Sequence, residues 1–320
     1  MSRRVAAVDC GTNSIRLLIA DVDPDASRGR ATLSDVDRRM EIVRLGQGVD
    51  TTGRLAPEAL DRTLKALRGY AELIESHGAE AVRMVATSAT RDAANADEFT
   101  RRVTEVLGTG PEVVTGDEEA RLSFLGATAE LGASVPAPYL VTDIGGGSTE
   151  FVLGQDGQVA SALSVNIGCV RMTERHLRDD PPSPAQIEAA TADIDRAIAR
   201  AAAAVDSSRA RTLVGLAGSV TTVAGIALDL PGYDPERLHH SRIAAAQVHE
   251  VTTRLLGQTR AERARIPVMH PGRIDVIGGG ALILDRIMIR LGLAEVLVSE
   301  HDILDGIAWS IATPDPVPGP

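Results

Sequence analysis

The stretch Leu140–Leu153, LVTDIGGGSTEFVL, constrains this chain more than any other. Apolar residues lead into Asp143 and away from Glu150, so the run reads as strand, tight glycine turn, strand. Gly145, Gly146 and Gly147 allow backbone angles closed to other residues and strip every Cβ from the turn. With Ser148 and Thr149 they form a turn that can bring a row of backbone N–H groups against an anion, as phosphate-binding nests do. Two carboxylates bracket it. A carboxylate beside a phosphate calls for a divalent cation between them, which makes Asp143 and Glu150 the candidate metal ligands. An ordinary β-hairpin that binds nothing can carry the same glycines, so one copy leaves both readings open.

The chain begins with a second copy. VAAVDCGTNSIRLLI (Val5–Ile19) aligns without gaps when Asp9 is laid on Asp143. Gly11 then falls on Gly145, Ser14 on Ser148 and Arg16 on Glu150, with Thr12 and Asn13 between them. Two related hairpins predict two similar domains facing each other, with a polyanion held between their turns. The difference in sign divides the work: Arg16 can neutralise phosphate oxygens where Glu150 would hold a cation.

Composition narrows the partners. Aromatic residues are 2% of the chain, which disfavours nucleic-acid binding through stacked bases. The net charge of −11 repels a polyanion, so one can be handled only through locally gathered arginines or metal ions. Cys10 and Cys169, the only cysteines, sit in apolar or glycine-flanked settings and read as buried free thiols of a reducing cytoplasm. No apolar run approaches membrane-spanning length, and Met1-Ser-Arg-Arg leads straight into a strand, not into a signal peptide.

Along the first half, Glu41–Leu45 reads as a strand. Pro57 opens a core-facing helix that Gly78 closes, with Leu60, Leu64, Leu67 and Ile74 at helical spacing. Val82–Ala86 is a strand ending at Ser88, before a helix start that carries Arg91 and Asn95. Ligands collect beyond the carboxyl ends of such strands, so Ser88, Arg91 and Asn95 are phosphate candidates. A helix cap with a surface Arg91–Asp92 pair accounts for the same residues equally well. Thr115-Gly-Asp-Glu118 has the capping-box pattern, which gives Glu118 a structural duty and frees Glu119, about 100° further round, to face elsewhere. Arg121 can hold that glutamate, a phosphate, or simply a neighbour on the helix.

Leu131–Pro138, with its glycine and prolines, is the natural boundary between domains. Beyond it, Gly168 can bring backbone near a ligand. A long alanine-rich helix runs from Pro184 through Val205. Leu213–Leu216 is a strand ending at Gly218 and Ser219, a third strand–glycine–helix junction able to hold an anion. Gly278–Gly280 fits either a nucleotide site or close helix packing. His239, His240, His249, His270 and His301 lack the repeated close spacing of a zinc site and read as structural histidines. The proline-rich 313–320 tail cannot form regular structure.

These motifs resemble the exopolyphosphatase/guanosine pentaphosphate phosphohydrolase (Ppx/GppA) family of the actin-like ATPase superfamily. The residues are DCGTNSIRLLIADV (Asp9–Val22), ATSATRDAANADEF (Ala86–Phe99), TGDEEARLSFLGA (Thr115–Ala127), DIGGGSTE (Asp143–Glu150), IGCVRMTE (Ile167–Glu174), GLAGSVTT (Gly215–Thr222) and SEHDILDGIA (Ser299–Ala308). They keep the family's order and span nearly the whole chain. The resemblance implies an α/β fold of two ribonuclease-H-like (actin-like ATPase) domains facing across an interdomain cleft. Residues 1–132 and the returning helix 301–312 would form the first, and 133–300 the second. It implies a cytoplasmic, Mg²⁺-dependent (Mn²⁺ as the alternative) hydrolase of terminal phosphate on inorganic polyphosphate or guanosine pentaphosphate. No nucleic acid or membrane partner is implied, and a homodimer is compatible with it. Glu119 matches the family's proposed catalytic base, and Arg171 resembles its phosphate-facing arginine. An actin-like kinase or a non-catalytic polyphosphate or alarmone sensor are the readings it competes with.

Overall fold

The computed structural model describes residues 2–23, 32–132 and 134–312, so the expectation for 313–320 lies outside the described residues. The chain divides into two compact units. One runs through Gly126 and takes up again at Ile303; the other spans Ala127–Asp302. The division falls ahead of the glycine- and proline-rich stretch, near the end of the helix Gly116–Thr128. That helix is held in the first unit by the last one, Ile303–Ala312, where Gly306 lies so close that a Cβ would meet the Leu122 carbonyl oxygen at 2.0 Å.

In the first unit β1 (Arg3–Cys10) and β2 (Ser14–Asp23) form an antiparallel hairpin, with β3 (Thr32–Ile42) continuing the meander. β4 (Ala81–Ala86) runs parallel to β1, and β5 (Glu112–Val113) parallel to β4, giving the order β3-β2-β1-β4-β5. β1 is buried without interruption from Val5 to Cys10, as a strand covered on both faces must be. The edge strand β3 is mostly exposed and carries Asp35, Asp37, Arg38 and Arg39, charges that guard a free edge against pairing.

The strand expected at Glu41–Leu45 stops at Ile42, because Arg44 turns the chain through a left-handed conformation (φ 51°). The loop that follows clasps the first hairpin. Val43 and Arg44 N–H donate to the Asn13 carbonyl at 3.1 and 2.8 Å, and Gly46 N–H to that of Thr12 at 2.8 Å. The helix Pro57–Ser76 has Pro57 in its first turn and buries Leu60, Leu64, Leu67 and Ile74.

The second unit repeats this plan. β6 (Tyr139–Ile144), β7 (Thr149–Gln155) and β8 (Gln158–Val165) form an antiparallel meander. β9 (Thr212–Leu216) joins β6 in parallel, and β11 (Glu295–Val298) joins β9 in parallel. The sheet order is β10-β11-β9-β6-β7-β8, with β10 (Arg242–Ala244) as an added antiparallel edge. Read as β8-β7-β6-β9-β11, it retraces the first sheet strand for strand, so the duplication seen in the hairpins extends to the topology. Helices Pro184–Ala204, Ala217–Ala227 and Ile277–Leu291 bury Ile194, Ile198, Val220, Ile283 and Ile287 in its core.

Candidate functional site

The two glycine turns close with the same backbone bond. Gly11 N–H donates to Ser14 O at 3.0 Å, and Gly145 N–H to Ser148 O at 3.1 Å. Their bracketing residues hold one register: Asp9 faces Arg16 across the first hairpin, and Asp143 faces Glu150 across the second. Directly opposed residues of an antiparallel pair bring their side chains together on one face.

In the first hairpin the result is an ion pair, Arg16 Nη2 lying 2.6 Å and Nε 3.0 Å from Asp9 Oδ2. Arg16, expected to meet phosphate, thus shares its charge with a carboxylate that is 4% exposed. Thr12 and Ser88 hydroxyls lie 2.9 Å apart and tie the turn to the end of β4. Asn13 is 7% exposed, and neither its amide nitrogen nor its amide oxygen has a hydrogen-bond partner among the described residues. A buried amide left so costs about 1–3 kcal/mol, which a ligand would relieve.

Arg91 is half-buried and does not pair with Asp92. Its Nη1 donates to the Val114 carbonyl at 2.9 Å and to Glu119 Oε2 at 3.0 Å. Glu119 is 7% exposed. Its neighbour Glu118 receives only the N–H half of the expected cap, from Glu118 N–H to Thr115 Oγ1 at 3.2 Å. The Glu118 carboxylate instead accepts from Arg121 at 2.9 and 3.0 Å and from Arg83 at 3.5 Å. Arg121 therefore makes the helix-face pair. Asn95 has a scaffold duty, its amide accepting from Leu55 N–H at 2.9 Å and donating to Leu55 O at 3.1 Å.

In the second hairpin Asp143 and Glu150 are 6% and 1% exposed, and Glu150 Oε1 accepts from Ser164 Oγ on β8 at 2.7 Å. The turn's carbonyls are drawn into the start of the helix Cys169–His176. Gly145 O accepts from Cys169 N–H, Gly146 O from Val170 and Arg171 N–H, and Gly147 O from Arg171 Nε at 2.7 Å. Carbonyls turned one way leave a backbone suited to present amides the other way. Gly168 makes this approach feasible, since a Cβ there would stand 2.4 Å from the Gly146 carbonyl group.

At the third junction Ala217 adopts a left-handed φ of 68°, a strained choice for a residue with a Cβ. The guanidinium of Arg273 lies against Gly218, whose missing Cβ would fall 1.8 Å from its Cζ. Arg273 carried no signal in the sequence; only folding brings it to this loop. Burial pushes the Cys169 thiol up, against the opposing Arg273 charge and a bond with Ser219. Burial likewise raises Cys10, and both cysteines are free. The Gly278–Gly280 run serves helix packing: a Cβ would meet Cys169 O at 2.9 Å from Gly279 and Ser219 Oγ at 2.2 Å from Gly280.

A duplicated α/β fold with one glycine hairpin in each half defines the class, and the comparisons place it further. Residues 19–313 match the Ppx/GppA phosphatase family, and the chain belongs to that family. It is 53% identical over 318 residues to Exopolyphosphatase 2 of Mycobacterium tuberculosis, covering 97% of this chain and 98% of the relative. A solved exopolyphosphatase-like protein superposes with a TM-score of 0.92 at 45% identity, over 97% and 98% of the two chains. The PPX-GPPA enzyme of Aquifex aeolicus does so with 0.80 at 30% identity, over 97% and 100%.

Proposed function

We propose that this chain is an exopolyphosphatase, a hydrolase that removes terminal orthophosphate from inorganic polyphosphate by metal-assisted attack of water. The observation that carries it is the equivalent register of Asp9–Arg16 and Asp143–Glu150 at the mouths of two glycine turns. The 53% identity to a protein named Exopolyphosphatase 2 supports the same activity.

Asp143 and Glu150 would hold Mg²⁺, with Mn²⁺ as the alternative. Two buried carboxylates on adjacent strands are an all-oxygen donor set that fits a hard cation. Bound there, the ion supplies charge neutralisation and polarisation of a phosphoryl oxygen. Backbone amides of Gly11–Ser14 and Gly145–Thr149, with the open amide of Asn13 and the hydroxyls of Thr12, Ser14, Ser88, Ser148 and Thr149, orient phosphate oxygens. Arg16 and Arg171 add positive charge at the turns, and Gly218 and Ser219 offer a further contact. Glu119, oriented by Arg91, accepts the proton of the attacking water. Positioning and charge supply most of the rate in phosphoryl transfer.

Orthophosphate release from polyphosphate by wild type and Glu119→Gln tests this reading. Wild-type release with a strong loss in the variant supports it. Release from guanosine pentaphosphate alone would assign the chain to the family's other activity, and neither would refute hydrolysis. We place the protein in the cytoplasm, since among the described residues no helix is long and apolar enough to cross a membrane and its two thiols are free.

A further inference from the structure

The fold gathers residues that the sequence scatters. Glu130, His239 and His301 each offer a ligand atom, and the three atoms lie within 4.8 Å of one another. His301 Nδ1 is 3.5 Å from Glu130 Oε2, and the His239 ring stands against that of His301 with centroids 4.6 Å apart. His239 Nε2 is buried and has no hydrogen-bond partner among the described residues. Its Nδ1 accepts from the Glu300 N–H at 3.2 Å, the long end of the normal range. A structural histidine ordinarily has its buried ring nitrogens satisfied, so the open Nε2 asks for a different explanation.

We propose that Glu130, His239 and His301 form a second metal site, built for a divalent transition ion of the zinc type and separate from the Asp143–Glu150 pair. Two imidazoles and one carboxylate suit Zn²⁺, whereas Mg²⁺ and Ca²⁺ take oxygen donors. Three protein ligands leave one tetrahedral position open.

Coordination has one local consequence. Through Nδ1, the ion takes the lone pair that now accepts from Glu300. Through Nε2, it moves the ring proton to Nδ1, opposite the same N–H. Either way the Glu300 bond is lost. Glu130 and His301 also lie near the start and the end of the unit Ala127–Asp302, so the ion would cross-link its two termini.

The test uses the full chain, stripped of metal, with Zn²⁺ as the probe in equilibrium dialysis with elemental analysis. One Zn²⁺ per chain is expected, retained against excess Mg²⁺ and in Asp143→Asn. Binding should weaken at least about tenfold in His301→Ala and in His239→Gln, and the Glu300 amide resonance should shift on titration. Failure to take up stoichiometric Zn²⁺ at about 100 µM overturns the site, as does uptake that survives both histidine substitutions or disappears in Asp143→Asn. Should the histidine variants unfold, Glu130→Gln, at an exposed position, decides: undiminished Zn²⁺ binding there refutes the proposal.

Discussion

Arg91 Nη1 lies 3.0 Å from Glu119 Oε2, so a residue expected to meet phosphate also orients the candidate base. Glu119→Gln keeps an oxygen for Arg91 but cannot take a proton from water. Phosphate release is expected to fall by about 10²–10⁴ with the melting temperature nearly unchanged. An unchanged rate would remove Glu119 from the chemistry.

Arg91→Ala removes a charged bond from a glutamate buried to 7% exposure. We expect a loss of about 1–3 kcal/mol in urea unfolding, together with reduced turnover. Combined with Glu119→Gln, the turnover losses should fall well short of additive, because the two side chains act as one unit. Additive losses would show that Arg91 works independently.

Two close approaches and one open position make three glycines behave differently. Gly168→Ala drives a Cβ to 2.4 Å from the Gly146 carbonyl group and should raise KM for polyphosphate by displacing the turn. Gly306→Ala meets the Leu122 oxygen at 2.0 Å and should cost about 1–3 kcal/mol of stability by forcing apart two helices. A Cβ added at Gly69, within the helix Pro57–Ser76, would meet no described atom within 4 Å beyond the helix's own backbone, so Gly69→Ala should stabilise by about 0.5–1 kcal/mol. Thermal melts and steady-state kinetics on the three variants separate these outcomes.

Chelation with EDTA is expected to abolish phosphate release, and Mg²⁺ to restore it. Asp143→Asn and Glu150→Gln should each raise the Mg²⁺ concentration needed for half-maximal activity, since each removes one hard anionic ligand. Full turnover in chelator would argue against a metal at this pair.

Asp193 links two helices of the second unit, accepting from Arg175 at 2.7 Å and His176 at 2.9 Å. Burial pushes its carboxyl up, but the bonds from His176 and Arg175 outweigh this and hold it below the usual carboxylate value. A lowered carboxylate stabilises the fold fully above its unfolded value, about 3.9, and stops doing so as pH falls through the folded one. Asp193→Asn should therefore cost about 1–2 kcal/mol at neutral pH, and the gap to wild type should close as pH falls from neutral to below the carboxyl's unfolded value. Urea unfolding across that range measures it; a gap independent of pH would show that the charge contributes nothing.

The equivalence of Asp9 with Asp143, and of Arg16 with Glu150, was legible in the sequence because a short turn sets hairpin register and side chains alternate faces every second residue. The same locality made the helix Pro57–Ser76 readable from its proline start and its leucine spacing. Short-range patterns of this kind, repeated in the two halves, can be read from residue order alone. That Arg273 lies on Gly218, that Asn95 bonds Leu55, that Gly278–Gly280 serves packing, and that Glu130, His239 and His301 converge emerges on folding. Distance along the chain is why: these contacts depend on which strands neighbour in the sheet and how helices cross above it, and no period in the residues records that.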